Sequence, residues 1–196
     1  RADLQERRDP TIRQLTFPFD HYRPGQRELA VAVYKTIVTS KRLFAEAPTG
    51  TGKTISTLFP TIKAIGEGLI QRIFYLTAKQ STRRVAEEAI TLMASQGLKL
   101  KSITLTAKDK IKFPEEADLA PEDNPYMLGY YDRLKPALLD LLEHHDQLTR
   151  PVIEQVARKH TLDPFEFQLD ASLFCDVIIG DYNYLFDPQV HLQRFF

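Results

Sequence analysis

Residues 47–54, with the sequence APTGTGKT, have the side chains and the spacing most suited to chemistry. The spacing fits a phosphate-binding loop of the Walker A type, with Ala47 in place of the usual first glycine. Gly50 and Gly52 allow backbone N–H groups to face a phosphate. Lys53 is expected to pair with the β- and γ-phosphates and the Thr54 hydroxyl to ligate Mg²⁺, so these two are the predicted catalytic residues. The nucleotide loop is predicted to comprise Ala47, Pro48, Thr49, Gly50, Thr51, Gly52, Lys53 and Thr54.

A second group of side chains, in FDHYRPGQRELA, precedes this loop by about 25 residues. Tyr22 and Arg23 offer stacking surfaces, and the amide of Gln26 has the donor and acceptor that an adenine edge requires. Beside a phosphate loop, this combination predicts adenine recognition and a preference for ATP over GTP. The alternative is a helix start with a surface glutamine.

The elements around the loop indicate an α/β fold. The segment RLFAEA is predicted to be a short buried strand, and a helix is predicted to start near Gly52. QRIFYLTA and SITLTA are further predicted strands, separated by a helix through STRRVAEEAITLMAS that ends near Gly97. Alternating strands and helices predict a parallel sheet with helices on both faces, as in RecA-like P-loop NTPases.

A mainly helical insertion is predicted to interrupt this sheet. We expect a flexible lead-in at residues 1–16, the first part of the nucleotide domain at 17–106, the insertion at 107–172, and a return to the sheet at 173–196 through CDVIIGDYNYLF. Pro136 is expected to start a new helix, and Thr149 to cap another with Pro151 in its first turn. Apolar side chains on these helices are predicted to hold the insertion together: Leu134, Leu138, Leu141 and Leu142 against Val152, Val156 and Phe165.

Composition sets the broad class. The 196 residues include 26 basic and 26 acidic side chains, so any path for nucleic acid must be local. Cys175 is the one cysteine, which excludes an internal disulfide and favours a buried structural thiol. No apolar run reaches the length of a membrane span, so we expect no membrane association and a cytoplasmic protein.

Hydrolysis also needs a carboxylate on the metal ion and a group that positions water. VIIGD ends at Asp181, which is one candidate, but Tyr182 follows where a glutamate is usual. The alternative is an acidic motif beyond Phe196, in which case the chain is the front part of a larger motor. A chain of that kind is expected to bind ATP weakly and to hydrolyse it slowly or not at all by itself.

Three stretches together resemble the XPD/DinG family of superfamily 2 DNA helicases, in particular its bacterial DinG-like members. They are FPFDHYRPGQRELA with APTGTGKT, YLTAKQSTRRVAEEA with SITLTAKDKI, and DVIIGDYNYLFDP. The resemblance implies an ATP-driven translocase that moves 5′ to 3′ on single-stranded or forked DNA in repair or replication-related processing. Its further partner would be the remainder of the helicase chain, with an acidic box and a second motor domain.

The resemblance also implies residues that contact DNA. Thr77, Lys79 and Arg83 match the family's motif after the second strand, and Arg84, Lys108, Lys110 and Lys112 would extend this basic path. Tyr126, Tyr130 and Tyr131 are candidate platforms for bases, because single-strand binding combines positive charge with aromatic stacking. Each basic residue taken alone is also explained by a solvated helix face.

The insertion departs from the family pattern. In such helicases four cysteines commonly hold an iron–sulfur cluster in the insertion. The places that match three of them are occupied here by Lys112, Asn124 and Asp163. These are poor ligands for a cluster that requires thiolates, so the iron–sulfur cluster is predicted to be absent. A second function class stays open beside the helicase, namely a nucleic-acid-binding or regulatory module that binds ATP without hydrolysing it.

Overall fold

The computed structural model describes residues 1–41, 43 and 52–185. The chain divides into two compact units, residues 1–73 with 84–100 and residues 74–83 with 101–196, over the described part of each. The elements in order are α1 Ala2–Gln14, α2 Gln26–Val38, α3 Lys53–Gly66, β1 Ile73–Leu76, α4 Gln80–Ser95, β2 Ser102–Thr104, α5 Lys108–Ile111, α6 Tyr130–His144, β3 Gln147–Leu148, α7 Arg150–Lys159, α8 Pro164–Ser172 and β4 Val177–Gly180.

Helix α1 occupies the residues for which we expected a flexible lead-in, and that prediction is wrong. Ile12 and Leu15 are buried at its C-terminal end. Gly66 of α3 allows a close approach, because a Cβ atom there would lie 2.4 Å from Cγ2 of Ile12. Lys63 Nζ also donates to the Ile12 carbonyl oxygen at 2.7 Å. A few apolar contacts and a cation at the helix terminus therefore order a segment with little apolar periodicity.

Helix α2 and the two predicted helices α3 and α4 form the rest of the first unit, apart from residues 80–83 of α4. Leu29, Val33 and Ile37 of α2 are half-buried, and α2 packs against α3. Helix α3 buries Ile55, Leu58, Ile62 and Ile65, which recur at helical spacing. The predicted helix start near Gly52 and the predicted helix end near Gly97 are both confirmed.

Within the described residues the sheet has four strands in the order β1-β4-β2-β3, and the α/β fold with a parallel sheet is confirmed. Strand β2 pairs in parallel with β4 through Ile103 and Ile178, and in parallel with β3 through Ile103 and Leu148. All four residues of β4 are buried, as expected for a central parallel strand. The two-residue strand β3 was not predicted. The predicted strand RLFAEA lies outside the described residues, apart from Leu43.

The insertion packs as one hydrophobic cluster in the second unit. Of the seven side chains predicted to hold it together, three belong to this cluster and four are partly buried and pack against it: Leu141, Val156 and Phe165, and Leu134, Leu138, Leu142 and Val152. Pro136 lies inside α6, so the prediction that it starts a new helix is wrong. It lies on the exposed side of the helix. Because proline has no N–H, one backbone carbonyl of the preceding turn loses its helical hydrogen bond, and water can hydrate that carbonyl at this position. The buried Ala137 and Leu141 favour a continuous helix. Thr149 is the N-cap residue of α7 with Pro151 in the first turn, as predicted, although its side chain makes no capping hydrogen bond.

The unit boundaries differ from the predicted segments 17–106 and 107–172, because β1 and β2 group with the helices of the insertion. In the described part of the chain, no helix has the length and apolar character needed to cross a membrane.

Candidate functional site

A cleft of about 610 Å³ lies in the first unit, at the N-terminal end of α3. Its walls come from the turn before α2, the first turn of α3 and one face of α4. The side chains and backbone that form these walls are Phe19, Arg23, Gln26, Gly52, Lys53, Thr54, Ile55, Val85, Glu88, Ala89 and Leu92. The fold therefore brings Arg23 and Gln26 of the predicted adenine group together with Lys53 and Thr54 of the predicted phosphate loop.

The backbone of Gly52 lies close to the side chain of Gln26 in this cleft. Gly52 has φ +71°, and a Cβ atom there would lie 1.9 Å from Nε2 of Gln26. Gln26 is only 2% exposed. Its side-chain Oε1 accepts a hydrogen bond from the Arg23 backbone N–H at 2.7 Å, and the Gln26 backbone N–H donates to the Arg23 carbonyl at 3.0 Å. The glutamine amide is thus fixed against the glycine that opens α3, and a larger residue at position 52 must displace it.

The first turn of α3 suits an anionic ligand. Lys53 and Thr54 are its first two residues, with Lys53 exposed and Thr54 half-buried. The N-terminus of a helix carries unpaired N–H groups and a partial positive charge, which favour phosphate. Ile55 and Leu58 anchor this turn in the core. A lysine ammonium, a threonine hydroxyl and a helix N-terminus together fit a nucleoside triphosphate with Mg²⁺.

The other residues predicted to bind the nucleotide are not among those that line this cleft in the described part of the chain. Ala47, Pro48, Thr49, Gly50 and Thr51 are outside the described residues. Tyr22 does not line the cleft, because its ring stacks on Phe17 with centroids 4.1 Å apart. Phe19 lines the cleft in its place and was not predicted. The aromatic residues of FPFDHY were the available signal, but the sequence cannot show which ring turns inward.

A second group of polar side chains lies in the second unit, after the ends of β1 and β4. Arg83 donates to the Thr77 carbonyl oxygen at 3.2 Å, and its Nη1 lies 3.8 Å from Oδ2 of Asp181. The Thr77 N–H donates to the Gly180 carbonyl at 3.0 Å, which joins the two strand ends. Lys79 is exposed beside them. Arg83 is therefore directed at Asp181, with only 17% of its side chain exposed.

The remaining predicted DNA residues occupy different environments. Arg84, Lys108 and Lys110 are exposed, and Lys108 Nζ lies 5.8 Å from the centre of the Phe165 ring. Tyr131 is 80% exposed, whereas Tyr130 is buried and donates to Asp170 at 2.7 Å. The prediction of Tyr130 as a base platform is wrong, because its ring faces the core. Tyr126 is half-buried and donates to Glu115.

Two of the three places matched to cysteines in the sequence resemblance, Asn124 and Asp163, lie with Glu116 in a buried polar group, which we call the carboxylate cluster. Glu116 accepts hydrogen bonds from the Phe113 N–H and from Asn124 Nδ2, both at 3.0 Å. Asn124 Oδ1 accepts from the Tyr126 N–H at 2.9 Å. Asp163 caps α8 by accepting from the Glu166 N–H at 2.8 Å.

The cluster holds a proton near neutral pH. Burial, followed by a hydrogen bond with the Asp163 carboxyl, raises the pKa of Glu116 to about 7. A carboxyl that is buried beside another carboxyl is favoured in its protonated form. Sequence reasoning missed Glu116. Lys112, at the third matched place, is half-buried, and Cys175 is a buried thiol that contacts the Ala171 carbonyl at 3.4 Å, as predicted. Over residues 1–41, 43 and 52–185, no three His, Cys, Asp or Glu side chains are grouped to hold a metal ion.

Comparison with known families finds a match over much of the chain. Residues 24–148, well over half of the chain, match the family model described as DEAD/DEAH box helicase. The matched range begins just before Gln26 and includes Lys53, Thr54, β1, β2 and the end of β3. No curated protein matches the sequence.

Proposed function

Because the chain belongs to the DEAD/DEAH box helicase family, we propose that it is the ATP-binding part of a helicase that acts on single-stranded or forked DNA. Family membership supports an ATP-hydrolysing, nucleic-acid helicase function and implies the use of ATP and Mg²⁺. The DNA specificity, the 5′ to 3′ direction, a role in repair or replication-related processing and the DinG-like subfamily are our proposals, supported by the sequence resemblance.

The cleft at the start of α3 is the observation that carries this proposal. Lys53 would neutralise the β- and γ-phosphates, the Thr54 hydroxyl would ligate Mg²⁺, and the helix N-terminus would donate to phosphate oxygens. Gln26 and Arg23 line the same cleft and would bind the base, with Phe19 as an apolar wall. When bound, Mg²⁺ supplies positive charge between the phosphates. The contacts of Gln26 with Arg23 and Gly52 fix the amide before the ligand arrives, which lowers the entropic cost of binding.

The nucleic acid is proposed to contact the exposed cations Lys79, Arg84, Lys108 and Lys110. A single strand binds through phosphate contacts, which exposed lysine and arginine side chains provide. Thr77 and Arg83 are proposed to fix the loop that carries Lys79, since Arg83 joins the ends of β1 and β4 through Thr77 and Asp181.

A module that binds ATP without hydrolysing it is the second candidate function. Its supporting observation is that Asp181, the carboxylate after β4, is paired with Arg83 at 3.8 Å and is followed by Tyr182 rather than a glutamate. A carboxylate with an arginine counter-ion is less available to a metal ion.

The test is ATP hydrolysis by the full-length protein, with and without a single-stranded oligodeoxynucleotide and with a single-stranded RNA of the same length. Lys53→Ala removes the phosphate contact. Lys35→Ala, an exposed lysine of α2, is the matched control. We expect DNA to stimulate turnover, Lys53→Ala to abolish it and Lys35→Ala to leave it unchanged. Turnover that responds to RNA alone contradicts the DNA proposal, and binding of ATP with no turnover under any condition supports the second candidate.

A further inference from the structure

A second cavity, of about 910 Å³, lies within the second unit. One wall is formed by α5 and the residues that follow it, and the other wall by α7. We call it the α5–α7 groove. It is lined by five basic and two acidic residues, although the whole chain has no net charge. Ile111, Phe113, Gln155 and two prolines complete its walls. The groove is separate from the nucleotide cleft, which is lined by residues of the first unit alone.

Two arginines of α7 are held in place along this groove. Arg150 Nε donates to Glu154 Oε1 at 2.7 Å, and its Nη2 donates to the Lys110 carbonyl oxygen. Arg158 donates to Glu115 at 2.6 Å, and its guanidinium carbon lies 3.9 Å from the centre of the Phe113 ring. Each guanidinium has five N–H donors, so these contacts orient both groups and leave further donors for a ligand.

Two lysines of the opposite wall add positive charge. Lys110 is exposed and Lys112 is half-buried, and in the part of the chain that the structure describes no carboxylate lies within ion-pair distance of either. Arg158 keeps 53% of its side chain exposed while one face of its guanidinium covers Phe113. A lysine pair beside a stacked guanidinium offers both phosphate contacts and a planar surface for a base.

The length of the groove suits a short single strand. Arg150 and Arg158 are eight residues apart on one helix. At the rise of an α-helix they are about 12 Å apart, a separation that a strand of a few nucleotides can span. An acidic peptide would find the same charges but would not use the stacking surface.

We infer that the α5–α7 groove binds the phosphate backbone of single-stranded DNA, with Lys110, Lys112 and Arg150 on phosphates and Arg158 against a base. This inference rests on the proposed function and adds Arg150 and Arg158 to the residues that contact the strand. It assigns the insertion a direct part in holding DNA.

The experiment measures binding of a fluorescein-labelled (dT)12 oligonucleotide by anisotropy over a range of salt concentrations. Lys110→Gln with Lys112→Gln removes two charges, and Lys135→Gln, an exposed lysine of α6 outside the groove, is the matched control. Each lost phosphate contact should reduce the slope of log K against log salt by about 0.7, and the affinity at 0.1 M salt by about fivefold, so the double variant should bind roughly 25-fold more weakly. Arg158→Lys keeps the charge and should weaken binding with little change in slope.

Three results overturn the inference, and they are distinguishable. Equal affinity and slope in the double variant and in Lys135→Gln place the DNA site elsewhere and leave the proposed function intact. Competition by poly-glutamate as strong as that by unlabelled (dT)12 identifies a docking surface for acidic protein. A wild-type protein that binds Mg²⁺–ATP but no (dT)12 refutes both this groove and the DNA part of the proposed function.

Discussion

The carboxylate cluster predicts a pH-dependent stability that one substitution removes. Glu116→Gln keeps the size of the side chain and replaces one carboxyl oxygen with an NH₂ group, which donates to Asp163 as the shared proton does. One of the two hydrogen bonds now accepted by Glu116, from the Phe113 N–H or from Asn124 Nδ2, is lost in return. The variant therefore loses about 1 kcal/mol at low pH and no longer titrates at this position.

The magnitude follows from the pKa of Glu116, which burial and then the hydrogen bond with Asp163 raise from 4.5 to about 7. Because the folded-state pKa is raised, the folded protein binds this proton more tightly than the unfolded chain. The stabilisation is complete below pH 4.5, declines as the pH rises and is lost above about pH 7. The full loss is about 3 kcal/mol, of which about 2.5 kcal/mol falls between pH 5 and pH 8.

The assay is urea unfolding of the wild type and of Glu116→Gln at several pH values from 5 to 8, followed by circular dichroism because the chain has no tryptophan. The difference in unfolding free energy between the two proteins cancels the titration of groups that do not interact with Glu116. Glu122→Gln is the control, since Glu122 is exposed in the turn at Pro121–Asp123.

We expect the wild type to be the more stable protein at pH 5 and the less stable one at pH 8, while Glu122→Gln follows the wild type throughout. A difference between wild type and Glu116→Gln that stays constant from pH 5 to pH 8 refutes the shared proton. A constant difference would mean that Glu116 is ionised in the folded protein over this whole range.

Two glycines give further predictions. Gly52→Ala should weaken ATP binding at least about tenfold, because the new methyl group meets Nε2 of Gln26 at 1.9 Å. Gly68→Ala, with φ +74° and nothing within 4 Å of the new atom, controls for backbone strain alone, and equal loss of binding in both variants contradicts the Gln26 contact. Gly66→Ala should destabilise the protein by about 1–3 kcal/mol by displacing Ile12, and the cost should shrink in an Ile12→Ala background. A cost that is the same in both backgrounds, measured by urea unfolding, means that α1 does not rest on Gly66.

The sequence predicts the elements whose periodicity and motifs are local. The loop ending in Gly52 predicts the start of α3, and the apolar run before Asp181 predicts β4, since both signals lie within a few neighbouring residues. Helix α1 was missed because Ile12 and Leu15 are its few buried apolar residues, and the contact that orders them comes from Gly66, more than fifty residues away. Pro136 was misread for a related reason, because tertiary packing of α6 outweighs the local signal of a proline.

The residues of the candidate site also divide into those that the sequence predicts and those that it does not. Lys53, Thr54 and Gln26 could be named from spacing, because a phosphate loop and its preceding glutamine form a linear pattern. Phe19 could not be separated from its aromatic neighbours, and the face of α4 with Val85 and Glu88 has no motif of its own. The carboxylate cluster combines residues 116, 124 and 163, whose contacts exist only once the insertion has folded.

The most direct test of the account is calorimetric titration of the protein with Mg²⁺–ATP, compared with Lys53→Ala and with Lys35→Ala. The cleft at the start of α3 predicts binding by the wild type and by Lys35→Ala, and a loss of at least about tenfold in Lys53→Ala, because charge-assisted contacts to phosphate are among the stronger polar interactions. Equal affinity in all three proteins, or no binding by the wild type, would contradict the assignment of this cleft as the nucleotide site.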